Sequence, residues 1–510
     1  MQQIIVCGIV IMVVSALYSE ARTAHVTVDD GRVGQKWEGW GATDMYAFDG
    51  LEVEPEAGEP GKIPASGRDA ILKLYYQDLG MNRVRFWPMG YEPENDDADP
   101  KHLNAARFIW KGRGTRPVTS VDPFCEDHLV MGKRWRTPGE PFTFYPAAHQ
   151  WESWMTVKPD SPRWHFGDDA RFNPAKVDEY AEHALAAVLH IKEVYHYELP
   201  AWSLFNEPTN TAKPAPETSL ALTLACGRRF KENGLKTRIV ICDDVTPEAS
   251  AKTIELILAN EEARGYVGAV SYHRYCGDFI LERVKPMLAR IVQGERLVSA
   301  PVSFQASAAK YGKSVWVSEQ CSYGDEGVTY FDTGRARANH VCDEINYGKV
   351  NAFDFMLCYF IERGKPGNEE APIFLRFKGR NYASVELNAF GVWISHFTRY
   401  IRPGMDQLGV AVDDNLVKAV AFRDSTAGKL VLVVVNNSAD PVDLIIQTGK
   451  TAMPKDKLKR IRTAPGALRT PLEDTRVNQG RVTDSLPGTS VTTYTAPLAL
   501  PVAVERGRSR

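Results

Sequence analysis

The chain has 510 residues, of which 61 are Lys or Arg and 64 are Asp or Glu, so its formal net charge is −3. Hydrophobic residues make up 44% and charged residues 25%, which is typical of a globular protein and excludes disorder of the whole chain. The balanced charge argues against a nucleic-acid partner, which requires a concentrated basic surface. At roughly 150 residues per domain, the length predicts two or three domains.

The first 21 residues have the pattern of a secretory signal peptide. Ile4 to Tyr18 is a largely apolar run, shorter than the roughly 20 residues that a membrane-spanning helix needs. Ser19 and Ala21 are small residues placed to permit cleavage after Ala21. We therefore expect residues 1–21 to be removed, the mature protein to be secreted or periplasmic, and no stable membrane span to remain. An uncleaved membrane anchor is the alternative.

Short apolar runs alternate with amphipathic helical patterns between about Trp37 and Gly404. Runs such as Ala201 to Phe205 suit strands that are buried on both faces, as in a parallel sheet. Pro174 to Tyr195 has apolar residues at spacings of three and four, and Asn173 precedes it as a helix cap. Repeated strand–helix units over residues 37–404 predict an α/β fold, a (β/α)8 TIM barrel.

The barrel region contains further predicted helices and one long irregular segment. Further helices are predicted over Ala249 to Ala259, Gly334 to Tyr347 and Ser384 to Tyr400. Residues 91–166 are rich in Pro, Trp and charge and are poorly periodic. This range is therefore predicted to be an insertion in the barrel.

After Gly404 the pattern changes to short β-branched runs, such as Leu430 to Val435, separated by turn residues. Residues 405–500 are predicted to form a C-terminal all-β sandwich. Residues 25–36 are also strand-like and precede the barrel, so we expect them to join this domain.

Two glutamates directly follow apolar strands, in Asn206-Glu207-Pro208 and in Ser318-Glu319-Gln320. Barrel enzymes carry their chemistry at the C-terminal ends of the strands. Two acids at that end can face each other across the barrel axis, and hydrolysis of a glycosidic bond with retention requires such a pair about 5–5.5 Å apart. A single glutamate at a strand end is more often a solvated loop residue, so the prediction depends on the pair.

The motifs resemble those of glycoside hydrolase family 30, a clan A family of retaining (β/α)8 enzymes that includes glucosylceramidase, xylanases and β-1,6-glucanases or galactanases. The resemblance covers nearly the whole chain. It rests on Trp37-Glu38-Gly39-Trp40-Gly41-Ala42, Arg83-Val84-Arg85-Phe86, Asn206-Glu207-Pro208, Cys242-Asp243-Asp244, His273-Arg274-Tyr275, Ser318-Glu319-Gln320-Cys321, Ile401-Arg402-Pro403-Gly404 and Leu486 to Tyr494.

The resemblance implies a role for each catalytic residue. Glu319 would be the nucleophile and must stay ionised, with Arg85 and Tyr275 as the donors nearby. Glu207 would be the acid/base and must hold a proton near neutral pH, which requires a raised pKa. Asn206 would contact the 2-hydroxyl of the sugar.

Three further residues are expected to bind substrate, and each also has a structural interpretation. His273 can instead orient its neighbours, and Asp243 can belong to a solvated turn or a helix cap. Trp154 can stack on a sugar or pack within its loop, as can Trp87 and Trp151. The last barrel strand lacks the Trp that relatives present there, although Tyr359 or Phe360 can take its place. The identity of the bound sugar is therefore left open.

No cluster has metal-ligand spacing, and none of the 8 cysteines is paired as Cys-x-x-Cys, so neither a metal nor a cofactor is expected. The expected function is that of a secreted retaining β-glycosidase acting on β-linked oligo- or polysaccharides. Two alternatives are another clan A family with the same mechanism and a catalytically silent carbohydrate-binding protein on this fold.

Overall fold

A computed structural model describes residues 22–44, 63–87, 99–110, 121–148, 153–160, 169, 171–245, 248–273, 283–297, 302–321, 327–362, 371–379, 381–448 and 457–497. The predicted signal peptide, residues 1–21, lies outside these ranges and stays a prediction. None of the helices in these ranges is long and apolar enough to cross a membrane.

The described ranges contain strands and helices in the following order. The strands are β1 Arg22–Lys36, β2 Gly39–Asp44, β3 Arg83–Phe86, β4 Thr143–Pro146, β5 Ala201–Ser203, β6 Arg238–Asp244, β7 Val267–His273, β8 Ser314–Glu319, β9 Ala352–Phe355, β10 Phe360–Ile361, β11 Ile373–Lys378, β12 Asn381–Leu387, β13 Asp406–Val412, β14 Val417–Asp424, β15 Lys429–Asn436, β16 Val442–Thr448, β17 Lys457–Ala464, β18 Ala467–Arg476, β19 Arg481–Leu486 and β20 Ser490–Pro497. The α-helices are α1 Ala65–Lys73, α2 Val121–Cys125, α3 Val177–Tyr195, α4 Pro216–Glu232, α5 Ala251–Ala259, α6 Glu261–Tyr266, α7 Val284–Ile291, α8 Val302–Lys310, α9 Tyr330–Asp343 and α10 Ala389–Thr398.

Strands β2 to β9 form one parallel sheet in the order β4-β3-β2-β9-β8-β7-β6-β5. A parallel bridge between Ala147 and Ser203 joins the two outer strands, so the sheet closes on itself. The predicted (β/α)8 barrel is thereby confirmed. Its catalytic end, by the rule for such barrels, is the end at which the strands finish.

Side chains alternate between the inside of the barrel and the helix layer, because successive residues of a strand point to opposite faces. Arg83 points inward and donates two hydrogen bonds to Asp354, each 2.9 Å long. Its guanidinium carbon lies 4.2 Å from the centroid of the Trp316 ring. Arg85, two residues later on β3, points into the same interior one step nearer the catalytic end.

The range 91–166 differs from the prediction of an insertion. Its described part contains α2 and also β4, which pairs in parallel with β3 from Thr143 opposite Arg83. Strand β4 has only four residues, ends on Pro146 and lacks an aliphatic run, so its sequence does not reveal it. The range therefore contains an ordinary barrel unit.

The helix predicted from Ser384 begins instead at Ala389. Residues up to Leu387 extend β12, which pairs antiparallel with β11. Asn388 then caps the helix, because its Oδ1 accepts a hydrogen bond of 2.8 Å from the backbone N–H of Gly391.

The remaining strands form a nine-stranded sheet in the order β18-β17-β20-β15-β14-β13-β1-β16-β19, with β1 between β13 and β16. The sheet folds over, because Asp484 on β19 accepts hydrogen bonds from Arg460 and Arg462 on β17, each 2.7 Å long. The all-β sandwich expected from the sequence is confirmed.

Strands β14 and β15 have two buried faces. Ala419, Ala421 and Leu432 belong to the core of the sandwich. Phe422 and Val433, on the other face, join the core of the barrel. The alternation of a β-strand therefore fixes the sandwich against the barrel by apolar contact.

His396 on α10 contributes a buried polar contact to this junction. Thr493 donates its hydroxyl proton to the backbone carbonyl of His396 over 3.0 Å, so its oxygen accepts from Nδ1 of the ring at 2.9 Å. Nε2 must then accept from the hydroxyl of Thr463, also at 2.9 Å. Burial, followed by the charge of Arg469, lowers the pKa of His396 to about 3, so the ring is neutral.

We predict that His396 makes the fold sensitive to acid. Its pKa in the folded protein lies below its unfolded value of about 6.5, so its contribution to stability is complete above pH 6.5 and is lost as the pH falls toward 3. In His396→Gln, the free energy of unfolding should fall less steeply between pH 5 and pH 4, by about 1.4 kcal/mol per pH unit. Denaturant unfolding measures this, with the exposed histidine substitution His196→Asn as the control. Equal slopes in wild type and His396→Gln would contradict it.

Candidate active site

Glu207 and Glu319 lie side by side at the catalytic end of the barrel. One carboxylate oxygen of each, together with a ring nitrogen of His273, lie within 4.8 Å of one another. A retaining glycosidase holds its two carboxyl groups about 5–5.5 Å apart, whereas an inverting enzyme leaves about 6.5–9.5 Å for a water molecule. The separation suits direct attack by one of the two carboxylates.

Arg85 holds Glu319 in place. Its Nη1 donates a hydrogen bond of 2.8 Å to Oε2 of Glu319 and one of 3.3 Å to Oγ1 of Thr43. Its Nη2 donates to Oδ1 of Asn206 and, over 3.0 Å, to Oδ2 of Asp243. Burial by itself lowers the pKa of Arg85, but the two carboxylates raise it well above its usual value, so the guanidinium stays charged.

Asp243 reaches the interior of the barrel through a β-bulge. The register of β6 against β7 shifts between Cys242 and Asp244, so one extra residue is inserted. Cys242 and Asp243 have φ angles of 81° and 53°, a left-handed backbone that is rare for residues other than glycine. The bulge turns the Asp243 side chain inward beneath the two glutamates.

The buried carboxylate of Asp243 is surrounded by donors. Besides Arg85 and His273, it accepts hydrogen bonds from the hydroxyl groups of Ser203, Ser271 and Ser318. Burial raises its pKa, but the charge of Arg85 and the bond with His273 lower the pKa well below its usual range. The expected contact with a sugar hydroxyl, like the solvated-turn alternative, does not fit this position. Asp243 orients Arg85 and His273.

His273 lies between the acids. Its Nδ1 is 3.0 Å from Oε1 of Glu207 and 3.7 Å from Oε1 of Glu319, and its Nε2 is 3.4 Å from Oδ1 of Asp243. Burial by itself lowers its pKa, but the charge of Glu319 and the bonds to Asp243 and Glu207 raise the pKa to about 10. His273 therefore stays protonated at neutral pH, and its Nδ1 donates a hydrogen bond to Oε1 of Glu207.

Glu207 occupies a strained turn. Its φ is 48°, although Pro208 follows it, and its backbone N–H donates a hydrogen bond of 2.8 Å to the carbonyl of Asp243. Asn210 donates to its Oε2 over 3.2 Å. The Glu207 side chain is 12% exposed, against 3% for Glu319, so Glu207 is the acid that water and a leaving group reach more easily.

Asn206 has one amide atom available. Its Oδ1 accepts from Arg85, whereas its Nδ2 donates to no group within the described ranges. This arrangement suits a hydrogen bond from Nδ2 to a sugar hydroxyl.

The aromatic residues that were expected to contact a sugar occupy different environments. Trp154 packs against the barrel core, and the ammonium of Lys176 lies 5.1 Å from the centroid of its ring, which supports the packing interpretation. Tyr359 is buried, and its hydroxyl donates to Asp44 over 3.3 Å, so it does not replace the missing Trp. Tyr275 and Trp151 lie outside the described residues.

Glu207, His273 and Glu319 have the spacing of a metal site. A histidine ligand must be neutral, however, and the raised pKa of His273 keeps its ring protonated. The guanidinium of Arg85 on Glu319 adds a second positive charge. The donor set therefore does not fit a metal ion.

The sequence prediction missed the residues that support the site. Thr43, Asn210 and the three serines around Asp243 all contact predicted site residues. The serines are polar residues within apolar strands that enclose a barrel interior, which is the signal that identifies such positions.

No family profile matches the chain, and no curated protein matches its sequence. Solved structures match its fold. A family 30 endoxylanase from Clostridium papyrosolvens C71 is 18% identical, with a TM-score of 0.64, over 93% of this chain and 100% of its own. An endo-β1,6-glucanase is 15% identical, with a TM-score of 0.61, over 93% and 94%. A family 51 arabinofuranosidase from Xanthomonas axonopodis pv. citri is 13% identical, with a TM-score of 0.58, over 93% and 99%.

At these identities the likeness establishes the fold. It extends over nearly the full length of each protein, barrel and sandwich together. The resemblance inferred from the motifs is thereby confirmed for the architecture.

We predict that the imidazole of His273 titrates near pH 10 in the folded protein, because the surrounding carboxylates favour its protonated form. Glu319→Gln removes one of these negative charges and should lower the pKa of His273. Ring-nitrogen NMR of protein labelled at histidine measures both values, with exposed Glu255→Gln as the matched control. Titration of His273 near its ordinary value of about 6.5 would contradict the arrangement.

Proposed function

We propose that this chain is a retaining β-glycosidase of the family 30 type, which hydrolyses O-glycosidic bonds in β-linked glycans by double displacement. The observation that carries the proposal is the pair Glu207 and Glu319, whose oxygens lie within 4.8 Å. Their different environments support separate roles, since Arg85 donates a hydrogen bond to Glu319 whereas His273 contacts Glu207.

In the first step, Glu319 attacks the anomeric carbon and forms a covalent glycosyl ester. Glu207 receives a proton from His273 Nδ1, 3.0 Å away, and passes it to the departing oxygen as the glycosidic bond breaks. Three carboxyl groups and the two cations Arg85 and His273 leave one net negative charge when all are ionised. That charge stabilises the positive charge that develops on the sugar in an oxocarbenium-like transition state.

In the second step, Glu207 accepts a proton from water, the water oxygen bonds to the anomeric carbon, and the ester bond to Glu319 breaks, which releases the sugar and restores the Glu319 carboxylate. Esterification of Glu319 removes its negative charge. The free carboxylate of Glu207 is then positioned as a general base on the more exposed side of the site.

The substrate is proposed by class. The fold neighbours include an endoxylanase and an endo-β1,6-glucanase, which act on different β-linked polymers. We therefore assign a β-linked oligo- or polysaccharide. The apolar run before residue 22 supports action outside the cytoplasm.

Glu319→Gln should abolish hydrolysis, because an amide cannot form the glycosyl ester. Release of sugars from xylan, β-1,6-glucan and aryl β-glycosides measures the loss, with Glu255→Gln as a control of equal charge change. Undiminished turnover by Glu319→Gln would refute the nucleophile. Absence of hydrolysis by the wild-type protein across the panel, together with retained sugar binding, would favour a silent binding protein.

Glu207→Ala should lower kcat on poor leaving groups by about 10²- to 10⁴-fold while affecting activated aryl glycosides less, because only the former need a proton. Added azide should partly restore turnover and yield a β-glycosyl azide, which NMR identifies. Lack of rescue would count against the acid/base role. An inverted anomer as the first product of the wild-type protein would exclude double displacement.

A further inference from the structure

A second concave surface lies at the opposite end of the barrel. This basic groove, about 810 Å³ in volume, is formed where the sandwich meets the barrel, and its lining includes Arg32, Arg296, Tyr347, Lys349 and Gln407. Lys349 lies three residues before the start of β9 at Ala352, so the groove opens at the end where the barrel strands begin. It is therefore separate from the site of Glu207 and Glu319.

The groove is positively charged. No acidic residue lines it. Within the described part of the chain, no carboxylate lies within 4 Å of Arg32, Arg296 or Lys349, whereas other cations on the same faces, such as Arg22 and Lys36, form ion pairs. Burial, followed by the positive charge of Arg32, lowers the pKa of Lys349, so these two cations repel each other without compensation.

Two backbone irregularities present these cations. The pairing of β1 with β13 jumps from Asp29 to Val33, so the segment that contains Arg32 leaves the ladder and lies across Gly409. Lys349 has a φ of 55°, a left-handed conformation that is uncommon for residues other than glycine.

The groove also offers groups that suit a sugar. Tyr347 is 40% exposed, and the guanidinium of Arg296 lies 4.1 Å from its ring centroid. Gln407 is 3% exposed, and its buried Oε1 accepts no hydrogen bond from the described residues. The aromatic ring suits the C–H face of a sugar, and the unused acceptor suits one of its hydroxyl groups.

The groove continues into a neighbouring one of about 430 Å³ that shares Arg296, Asn346, Tyr347 and Val410 with it. Each acidic residue of that second groove contacts a basic residue: Asp343 contacts Lys418, Asp413 contacts His25, and Asp414 contacts Arg22.

We propose that the basic groove binds an acidic glycan, a chain whose sugars carry carboxylates. The carboxylates would lie on Arg32, Arg296 and Lys349, a hydroxyl would donate to Gln407, and a sugar ring would cover Tyr347. Three cations on a chain of net charge −3 are too few for the dense phosphates of a nucleic acid. The binding is independent of the proposed hydrolysis and lies at the opposite face of the barrel.

The test is titration of the full chain with hexagalacturonate, and with the neutral xylohexaose, by calorimetry at low and moderate salt. Hexagalacturonate should bind, more weakly at higher salt, and the combined variant Arg32→Gln, Arg296→Gln, Lys349→Gln should weaken it by about tenfold or more. The matched control carries the same charge change elsewhere, in Lys231→Gln, Lys252→Gln and Lys457→Gln. Tyr347→Ala tests the aromatic contact separately and should weaken binding at unchanged salt dependence.

Any one of the following outcomes would overturn the proposal. Equal weakening by both triple variants would mean that only net charge matters. Equal binding of the neutral hexasaccharide would remove the role of the cations, and tighter binding of a single-stranded oligonucleotide would assign the groove to another class of ligand. Hydrolysis of a small aryl glycoside should be unchanged in the groove variants, which separates failure of this proposal from failure of the catalytic one.

Discussion

The site depends on one buried cation. The side chain of Arg85 is 0% exposed, and its guanidinium contacts Thr43, Asn206, Asp243 and Glu319, which come from four different barrel strands or the turns that follow them. A charge without water must have partners, and removal of one partner of a buried pair costs about 3–5 kcal/mol. The positions of Glu319 and Asn206 are therefore determined by the same group.

Asp243 determines the other half of the site. Its carboxylate balances Arg85 and contacts His273, while its backbone carbonyl accepts the N–H of Glu207 over 2.8 Å. Strained residues such as Cys242, Asp243 and Glu207 cost about 1–3 kcal/mol each, and they persist only where the surroundings fix them. The closed barrel and the pair of Arg83 with Asp354 beneath the site supply that rigidity.

The sequence predicts those parts of the site that follow from strand ends and alternation. Glu207 and Glu319 each follow an apolar strand, and Arg85 alternates with Val84 on a strand buried on both faces. The role of Asp243 depends on a β-bulge, which turns its side chain inward. No residue pattern in the sequence indicates that bulge. Strand β4 escaped prediction for a related reason, since four residues ending in proline carry too little periodicity. His273 was placed at the site, but its position between both acids depends on the register of β7 against β8.

The junction between the sandwich and the barrel determines how the two proposed sites are related. Strands β14 and β15 bury one face in each core, so the sandwich is held rigidly on the barrel. The basic groove at this junction is separated from Glu319 by the interior layer that contains Arg83, Asp354 and Trp316. Under the proposed function, the groove would act on hydrolysis as a tether, because a polymer long enough to reach both faces gains effective concentration at the catalytic end. Such a tether would lower KM for that polymer and leave kcat unchanged, because Arg85 and Asp243 fix the positions of the two glutamates independently of the groove.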